Sequence, residues 1–568
     1  MKVSVRIGIL GSLLATQFAV QAIEPVSPGS FLPDRPSSRR PELPEFLSET
    51  PDSSLSSSPV PENGHPPMPT VGPSFVLRGV AFEDNTVFPN QELEVIAKDF
   101  VGKKVTLADL EELRYRLTRH YTDQGYINSG VILKSGQQVT DGIVIYQVLE
   151  GHLSEVRING TERLLPDYVR DRIWPDPESP FNIKSLQERF QLLLRDPLFE
   201  RLNGKLLPGA QAGNAILELD VTRARSYELS FGANNYRPPS TGSELGYVTG
   251  VLRNLSGYGD NLGLIVGVTG GANELFANYS VPFTSYDSRL ALNFYRSDRS
   301  VIEEPLKELN IDSETWGVEL GLFHPVYRSL RRTVTLGMIL ARRNSQTFLL
   351  GDPFPFSPGA NDKGESRVTA LRLSQELVDR TPEQALALRS TFSVGIDALS
   401  STVHSEGRPD SRFFAWLGQT QYARRLWNEG IQLILRGDVQ LTNDRLLDLE
   451  RIAEGGIRTV RGYRENELVR DNGYDVSAEL RYPVWRGEKQ SILGDLLQIA
   501  VFMDYGSAWN KADSRHEELH SVGGGLLWNP TSHISADFYY AHALKKARPK
   551  EDHNLQDDGI HFRFSVNL

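Results

Sequence analysis

The pattern of apolar and polar residues changes twice along the chain, and each change marks a different kind of structure. Residues 23–72 show no periodicity and are rich in proline and serine, which predicts an extended linker. Residues 74–225 combine short apolar runs with stretches of helical spacing. From Tyr227 to the last residue, apolar and polar side chains alternate with period two, which is the pattern of β-strands.

The middle part of the chain contains an internal repeat. Each copy predicts the order strand, short helix, longer helix, strand, strand, and the copies align at an offset of 76 residues. The matched pairs are Val80 with Val156, Phe82 with Ile158, Leu110 with Leu186, and Leu117 with Leu193. Thr106 and Asp109 predict a capping box at the start of the first longer helix, and Gly125 predicts its end. We therefore expect two tandem α+β domains, over residues 73–151 and 152–225.

The alternating part, residues 226–568, divides into segments of about ten residues, and their number, about 16, is the even number typical of bacterial outer-membrane barrels. Alternation alone does not distinguish such a barrel from a soluble sandwich. The connections do, because those on the side of the tandem domains are short, apart from the one around residues 485–496. The long polar connections, among them the one between strands 13 and 14, lie on the other side. The sequence therefore predicts a 16-stranded antiparallel transmembrane β-barrel.

The first residues have the pattern of a secretory signal. Lys2 and Arg6 precede an apolar run that ends at Val20, and Ala22 offers a cleavage site, so residues 1–22 are predicted to be a signal peptide. The apolar run is shorter than the roughly 20 residues of a membrane-spanning helix. The mature chain is therefore expected to be exported.

Composition and charge exclude several functions. The formal charge of −11 at pH 7 and the lack of a basic face argue against a nucleic-acid partner. The absence of cysteine removes disulfides, thiolate metal sites and cysteine nucleophiles. No phosphate-binding loop, nucleophile elbow or pair of catalytic carboxylates stands out. We predict that the protein is not an enzyme and that it has no cofactor and no catalytic or metal-binding residues.

One short motif matches a zinc-protease pattern. The segment HEELH, His516–His520, requires a helix if both imidazoles are to share a metal ion. Here it is predicted to lie in the loop between strands 13 and 14, directly before a glycine-rich strand. We interpret it as part of a solvated surface loop.

The connection between strands 11 and 12, residues 443–473, is the sixth outer loop in this count. It carries the segment VRGY, which consists of Val460, Arg461, Gly462 and Tyr463. An apolar residue and an aromatic residue beside a glycine suit a buried loop tip. A buried guanidinium needs an acidic partner, because an unpaired one costs several kcal/mol. We therefore expect Arg461 to bind a carboxylate.

Strand 13 supplies a candidate for this carboxylate. Its alternation directs Phe502, Asp504 and Gly506 toward the lumen and the intervening residues toward lipid. Glu479 on strand 12 is a second candidate acid. The other arginines of the sixth loop receive no assignment from the sequence: Arg458, Arg464 and Arg470.

These features together resemble the TpsB family, the outer-membrane transporters of two-partner secretion that export haemolysins and filamentous adhesins. This family belongs to the barrel superfamily that carries POTRA domains. The segments that carry the resemblance are FEDNTVF at residues 82–88, NNYRPPSTGSELGYVTGVLRNLSGYGDNLGL at residues 234–264, VRGY in the sixth loop, and FMDYG at residues 502–506.

The resemblance implies an outer-membrane barrel with periplasmic POTRA domains. It implies that the sixth loop folds back into the pore as a latch, with Arg461 contacting Asp504 on the barrel wall. It also implies that the POTRA domains recognise the N-terminal secretion domain of a large secreted partner, which crosses the barrel unfolded and without ATP. Capture by addition of a cargo strand to POTRA edge strands is physically reasonable, and no particular cargo-binding residue is identified. Membrane lipid and the barrel-assembly machinery are the other implied partners.

Three alternatives or departures remain at this point. An insertase or assembly factor for other membrane proteins has the same architecture. A passive solute channel or a surface adhesin leaves the tandem domains without a role. Many members of the family have an N-terminal plug helix, whereas the proline-rich residues 23–72 offer only one or two helical turns, at Pro44–Thr50.

Overall fold

The structure is a computed structural model that describes residues 40–41, 43–47, 55–57, 74–139, 141–405, 407–427, 430–487, 495–545 and 552–568. The chain divides into two compact units, Pro51–Ala224 and a larger unit that combines Met1–Thr50 with Arg225–Leu568. The predicted signal peptide and most of the predicted linker lie outside the described residues. Within the described ranges, no helix is both long enough and apolar enough to cross a membrane.

The smaller unit begins with a short strand, β1 (Leu55–Ser57), which is followed by two α+β domains. The elements of the first domain are β2 (Phe75–Val76), β3 (Gly79–Glu83), α1 (Asn90–Ala97), β4 (Lys104–Val105), α2 (Leu107–Asp123), β5 (Gly130–Leu133) and β6 (Ile143–Leu149). In the three-stranded sheet, β6 lies parallel to β3 and antiparallel to β5. Helix α2 starts at the predicted capping box, where the Thr106 backbone N–H donates to the Asp109 carboxylate at 2.7 Å. Its apolar stripe is buried in the domain core, as the helical spacing predicts.

The second domain has the order strand, helix, helix, strand, strand, without described counterparts of the two-residue strands β2 and β4. Its elements are β7 (His152–Asn159), α3 (Pro166–Ile173), α4 (Ile183–Leu194), β8 (Phe199–Pro208) and β9 (Asn214–Arg223). Strand β9 lies parallel to β7 and antiparallel to β8, while β1 pairs in parallel with the free edge of β8. Part of the predicted linker is therefore a strand, because the edge of β8 offers backbone partners that the proline- and serine-rich composition does not reveal.

The larger unit is a closed antiparallel barrel. Its strands are β10 (Tyr227–Asn234), β11 (Leu245–Arg253), β12 (Asn261–Val268), β13 (Ala272–Pro282), β14 (Arg289–Ser300), β15 (Ile311–Arg328), β16 (Arg332–Leu349), β17 (Asp352–Pro353), β18 (Glu365–Arg380), β19 (Gln384–Gly395), β20 (Phe414–Leu426), β21 (Ile431–Thr442), β22 (Ile452–Glu454), β23 (Leu468–Arg470), β24 (Asn472–Arg486), β25 (Leu496–Asn510), β26 (Asp513–Thr531), β27 (Ile534–Ala543) and β28 (Ile560–Asn567). Two of these, β22 and β23, form a separate hairpin, and β17 is a two-residue extension that pairs with β16. The other strands in the described part of the chain form the wall of the barrel, which closes where β10 pairs with β28. Their number is the predicted 16.

The strands of the wall alternate between lipid and lumen as the sequence predicts. On β25 the outward side chains of Ile499, Val501 and Met503 are exposed, whereas Phe502 and Asp504 point inward and are buried. The connection between β24 and β25, residues 487–495, is longer than the short connections between other wall strands, such as residues 381–383, as expected. The alternation therefore fixes which polar residues line the lumen.

The connection between the thirteenth and fourteenth wall strands, β25 and β26, differs from the prediction. The expected long loop is a turn of only Lys511 and Ala512, and the ladder continues until Asn510 pairs with Asp513. The HEELH segment is therefore part of a strand and not of a loop. Polar residues do not end a strand here, because their backbone groups remain paired while their side chains reach water.

The strand geometry also argues against a shared metal ion at HEELH. Residues four apart on a strand lie on the same face but about 13 Å from each other. His516 stacks on Trp509 with ring centroids 4.3 Å apart, and His520 stacks on Tyr505 at 6.3 Å. No group of three metal-ligating side chains occurs within the described ranges.

We predict that Thr106→Ala lowers the free energy of local opening of α2 by about 1 kcal/mol, because it removes the side-chain cap of that helix. Hydrogen exchange of residues 107–123 in the full-length protein measures this effect. The matched control is Thr122→Ala on the same helix, whose hydroxyl donates to the Arg119 carbonyl at 3.0 Å and does not cap the N-terminus of the helix. Equal exchange rates in the two variants would contradict the role of the cap.

Candidate functional site

The sixth outer loop, which we call L6, joins β21 to β24 and comprises residues 443–471. Its two short strands, β22 and β23, form a hairpin with Ile452 paired to Arg470. The tip of this hairpin carries VRGY, all four residues of which are buried. Arg461 is only 2% exposed, which makes it one of the largest fully buried side chains in the described structure. The loop tip is thus an interior element and not a solvated turn.

The Arg461 guanidinium binds two carboxylates of the barrel wall. Its Nε donates to Asp504 Oδ2 and its Nη2 donates to Asp504 Oδ1, both at 2.7 Å, in a two-pronged arrangement. Its Nη1 donates to Glu479 Oε2, and its Nη2 also donates to Ser477 Oγ at 3.0 Å. The backbone N–H of Arg461 donates to Asp504 Oδ2 as well, at 3.1 Å. Side chain and backbone of this one residue are therefore fixed to strands β24 and β25.

Asp504 and Glu479 compensate the charge of Arg461. Burial alone would lower the pKa of Arg461, but Asp504 and Glu479 raise it above its ordinary value. Arg481 and Arg436 also approach Glu479, the latter with 3.6 Å between Nη1 and Oε2. A buried ion pair of this kind is costly to break, because the partner left behind is an uncompensated charge.

Aromatic rings complete the environment of Arg461. The guanidinium carbon lies 3.4 Å from the centre of the Phe502 ring and 5.2 Å from the centre of the Tyr539 ring. The two rings contact each other nearly edge to face, with centroids 5.9 Å apart. A guanidinium over an aromatic face is attracted by the ring quadrupole. Phe502 therefore favours an arginine at this position for a reason independent of the carboxylates.

The residues beside Arg461 fit closely against the wall. Val460 packs over Gly506, where a Cβ would lie 2.7 Å from Val460 Cγ2, so this position must lack a side chain. Gly462 has a φ of +87°, and its N–H donates to His561 Nε2 at 3.3 Å. The Tyr463 hydroxyl donates to the Lys545 carbonyl at 2.8 Å. The structure thus brings every predicted latch residue against the wall, and it places Asp504, Phe502 and Gly506 around them.

A second cluster holds the stem of L6 at another part of the wall. Glu450 lies in a 3₁₀ turn and accepts from Arg372 Nη2 at 2.8 Å, while Arg343 Nη1 approaches it at 3.6 Å. Leu446 and Leu447 pack nearby in a buried apolar cluster. Arg343 and Arg372 belong to β16 and β18, whereas Arg461 is bound by β24 and β25. L6 therefore spans the lumen between two anchors.

The arginines that the sequence left unassigned have partners in the structure. Arg464 binds Asp557 with two hydrogen bonds, Nε to Oδ1 at 2.6 Å and Nη2 to Oδ2 at 2.7 Å, and it also binds Glu303. These contacts connect L6 to the loops that follow β27 and β14. Arg470 Nη2 donates to Glu517 Oε2 at 2.7 Å.

Burial is the main influence on the pKa of Arg458 and lowers it. The acid that most favours the charged form of Arg458 is Glu465. Burial in turn raises the pKa of Glu465 to about 7. The carbonyl oxygen of Arg458 accepts a hydrogen bond from Arg40 at 3.1 Å. This contact brings a residue of the N-terminal segment to L6.

Sequence reasoning missed the anchor at Glu450 and the contacts of Arg464. Strand alternation places Arg343 and Arg372 in the lumen. Glu319 of β15 binds Arg343 at 2.6 Å, and Arg372 was the luminal arginine whose need for an acid could have indicated Glu450 on L6. No comparable signal exists for Arg464, because its partner Asp557 lies on another loop whose position the sequence does not define.

Two family models match the chain. Residues 75–151 match the POTRA domain, ShlB-type, and the chain combines this domain with a second α+β repeat, a closed barrel and an inward-folded sixth loop. These features define an outer-membrane transporter of the POTRA-barrel class. Residues 213–527, more than half of the sequence, match the second model, and the chain belongs to the family it describes, haemolysin secretion/activation protein ShlB/FhaC/HecB. Its barrel lies in the outer membrane, its POTRA domains are periplasmic, and its class is that of two-partner secretion transporters.

Individual proteins show the same relationship. The outer membrane transporter CdiB of Dickeya dadantii is 23% identical over 469 residues, which cover 80% of each chain. The solved structure of CdiB from Escherichia coli superposes with a TM-score of 0.69 at 18% identity and covers 90% of this chain and 94% of that one. BamA of Haemophilus ducreyi, in a crystal structure lacking POTRA domains 1–3, gives a TM-score of 0.53 at 14% identity and covers 87% and 99%. At these identities the two structures support the fold alone.

We predict that Gly506→Ala displaces the loop tip, because the added methyl group would overlap Val460 Cγ2. The chain contains no cysteine, so a single Leu468→Cys reporter can be read without background. Its reaction with a water-soluble maleimide is expected to be at least about tenfold faster when Gly506→Ala is added, since Leu468 is buried in the same apolar cluster as Val460. The matched control is Gly263→Ala on β12, where a Cβ meets no atom within 4 Å. An equally slow reaction in both backgrounds would show that the Gly506 contact does not hold the tip.

Proposed function

We propose that the chain exports one large secreted protein, which its POTRA domains recognise in the periplasm and which crosses the barrel unfolded. The observation that carries this proposal is the buried pair of Arg461 and Asp504, which holds L6 inside the lumen of a barrel of the secretion family. In this proposal VRGY is a latch that defines the resting pore. Export then requires L6 to change its contacts.

The energy source in this proposal is the cargo itself. In this proposal the protein performs no catalytic step on the cargo. Cargo strands bind to POTRA edges, and the cargo then folds at the cell surface. The two steps together lower the free energy of the cargo, so export needs no ATP. Outer-membrane lipid surrounds the apolar outer face of the barrel, and the barrel-assembly machinery inserts it. Neither nucleic acid nor a cofactor has a part in this scheme.

The alternative is an insertase or assembly factor for other membrane proteins, which shares the barrel and the POTRA domains. Deleting the gene separates the two functions. An exporter loses one secreted protein, which we expect to be very large, repeat-rich and encoded beside this gene. General loss of outer-membrane proteins after deletion would instead favour the insertase.

We predict that Arg461→Ala and Asp504→Ala each reduce secretion of the partner by about tenfold or more, because breaking a buried pair costs about 3–5 kcal/mol. The barrel itself is expected to remain in the membrane, since its ladder of strands does not involve L6. Two quantities are measured: the amount of partner secreted into the medium, and the amount of folded, heat-modifiable barrel in the outer membrane.

The matched control for this pair is Arg515→Ala, which breaks an ion pair of the same chemistry, with Asp513 at 2.7 Å, on the surface. The Arg515 side chain is 88% exposed, so its loss is expected to leave secretion unchanged. Normal secretion from both Arg461→Ala and Asp504→Ala would refute the latch.

A further inference from the structure

Arg40 also binds carboxylates of the barrel wall, and it belongs neither to the wall nor to L6. Arg40 precedes the tandem domains in sequence. Its Nε donates to Asp438 Oδ1 at 2.9 Å, its Nη2 donates to Asp475 Oδ1 at 2.7 Å, and its Nη1 donates to the Arg458 carbonyl at 3.1 Å. Asp438 and Asp475 are paired neighbours on β21 and β24. One guanidinium therefore connects two wall strands and L6.

The described residues that follow Arg40, up to Leu47, contact the inner wall. We call the described residues 40–41 and 43–47 the strap. The Pro41 carbonyl accepts from Gln421 Nε2, and the guanidinium carbon of Arg425 lies 4.3 Å from the centre of the Phe46 ring. The Leu47 N–H donates to the Thr381 carbonyl at 3.0 Å, in the connection between β18 and β19. The strap thus extends from Arg40 to the inner end of the barrel. Its described residues are not helical, so the predicted helical turns at Pro44–Thr50 are absent from residues 44–47.

A third acid, Glu454, lies at the same place. Glu454, at the end of β22, is fully buried, and neither carboxylate oxygen has a hydrogen-bond partner among the described residues. Burial, followed by the charges of Asp475 and Asp438, raises the pKa of Glu454 well above its ordinary value, while Arg40 lowers it. The site therefore contains more acid than Arg40 neutralises.

We propose that Asp438, Asp475 and Glu454 form a binding site for guanidinium and ammonium groups, that Arg40 is its tethered occupant at rest, and that a basic side chain of the exported polypeptide replaces Arg40 during transport. The identity of the exported ligand rests on the proposed function. The cation site itself does not.

Charge balance explains why an exchange is required. If Arg40 leaves and nothing enters, buried carboxylates lose the cation that compensates them, which is strongly unfavourable. If an arginine or lysine of an unfolded chain enters as Arg40 leaves, the number of compensated charges is unchanged. Release of the strap is thus coupled to the arrival of a basic polypeptide segment. A pore without cargo remains occupied by its own chain.

The tether makes the site difficult to reach for a free ligand. A group held on a short tether has an effective concentration of about millimolar or more, so a free cation must compete with it. Removing the guanidinium by Arg40→Ala removes this competition. We therefore expect free guanidinium ligands to bind the variant more tightly than the wild type.

The first test measures block of the ionic current through the full-length protein in planar bilayers. The probe is L-argininamide, and its matched control is L-citrullinamide, which has a neutral urea group of similar shape. In Arg40→Ala, argininamide is expected to block at about tenfold lower concentration than in the wild type, and citrullinamide is expected to have no such effect. Adding Asp438→Asn and Asp475→Asn should abolish the difference between the probes. Equal block by both probes in Arg40→Ala would overturn the site.

A second measurement covers the case in which a variant gives no current. Argininamide is expected to raise the unfolding temperature of Arg40→Ala in detergent, because a ligand that binds only the folded state stabilises it. Arg40→Lys keeps a tethered cation and is expected to behave like the wild type in both assays. A rise of equal size with citrullinamide would contradict the proposal.

The last experiment tests whether a polypeptide that enters the pore uses the same site. An unstructured peptide with one arginine is expected to prolong block events in Arg40→Ala severalfold relative to the same peptide with citrulline. Equal block times would refute replacement by a basic side chain. A protein that keeps the difference between the probes but exports no partner would contradict the proposed function and leave the cation site intact.

Discussion

The position of L6 depends on one requirement, that a guanidinium buried in the barrel must be neutralised. Arg461 meets it with Asp504 and Glu479, and its own backbone N–H is bound by the same Asp504 carboxylate. Because side chain and main chain share this partner, the loop cannot slide along the wall without losing both contacts. The contribution of this pair is therefore better described as positional than as stabilising, since buried ion pairs often add little net stability.

Three ion clusters fix L6 to different parts of the molecule. Arg461 connects the tip to β24 and β25, Glu450 connects the stem to β16 and β18, and Arg464 connects the tip to Asp557 on an outer loop. Arg40 adds a contact to the L6 backbone from the N-terminal segment. No single cluster accounts for the closed arrangement. A movement of L6 must exchange partners at several sites, and this favours two discrete positions over a continuous range.

The alternation of inward and outward side chains along the strands explains which parts of this structure the sequence predicts. Period two defines which wall residues face the lumen, and so Asp504, Phe502 and Gly506 could be selected without coordinates. The same reasoning failed at HEELH, because hydropathy does not show where a ladder ends once its side chains reach water. It also could not find Arg40. The luminal position of this proline-rich segment depends on contacts with Asp438 and Asp475, which are far away in sequence. Local pattern predicts the wall, whereas the contents of the lumen depend on charges far apart in sequence.

The unexpected length of β26 has a consequence for the surface of the cell. A strand needs about ten residues to cross the hydrocarbon layer, and β26 has 19 residues. Its outward apolar positions extend from Val522 to Trp528, and the polar residues before them continue the wall beyond the lipid. With the tilt of barrel strands, this continuation rises roughly 20 Å above the hydrocarbon. On this side a polypeptide leaving the lumen is therefore shielded from the lipid headgroups, and its first free residues emerge at the height of the β25–β26 turn.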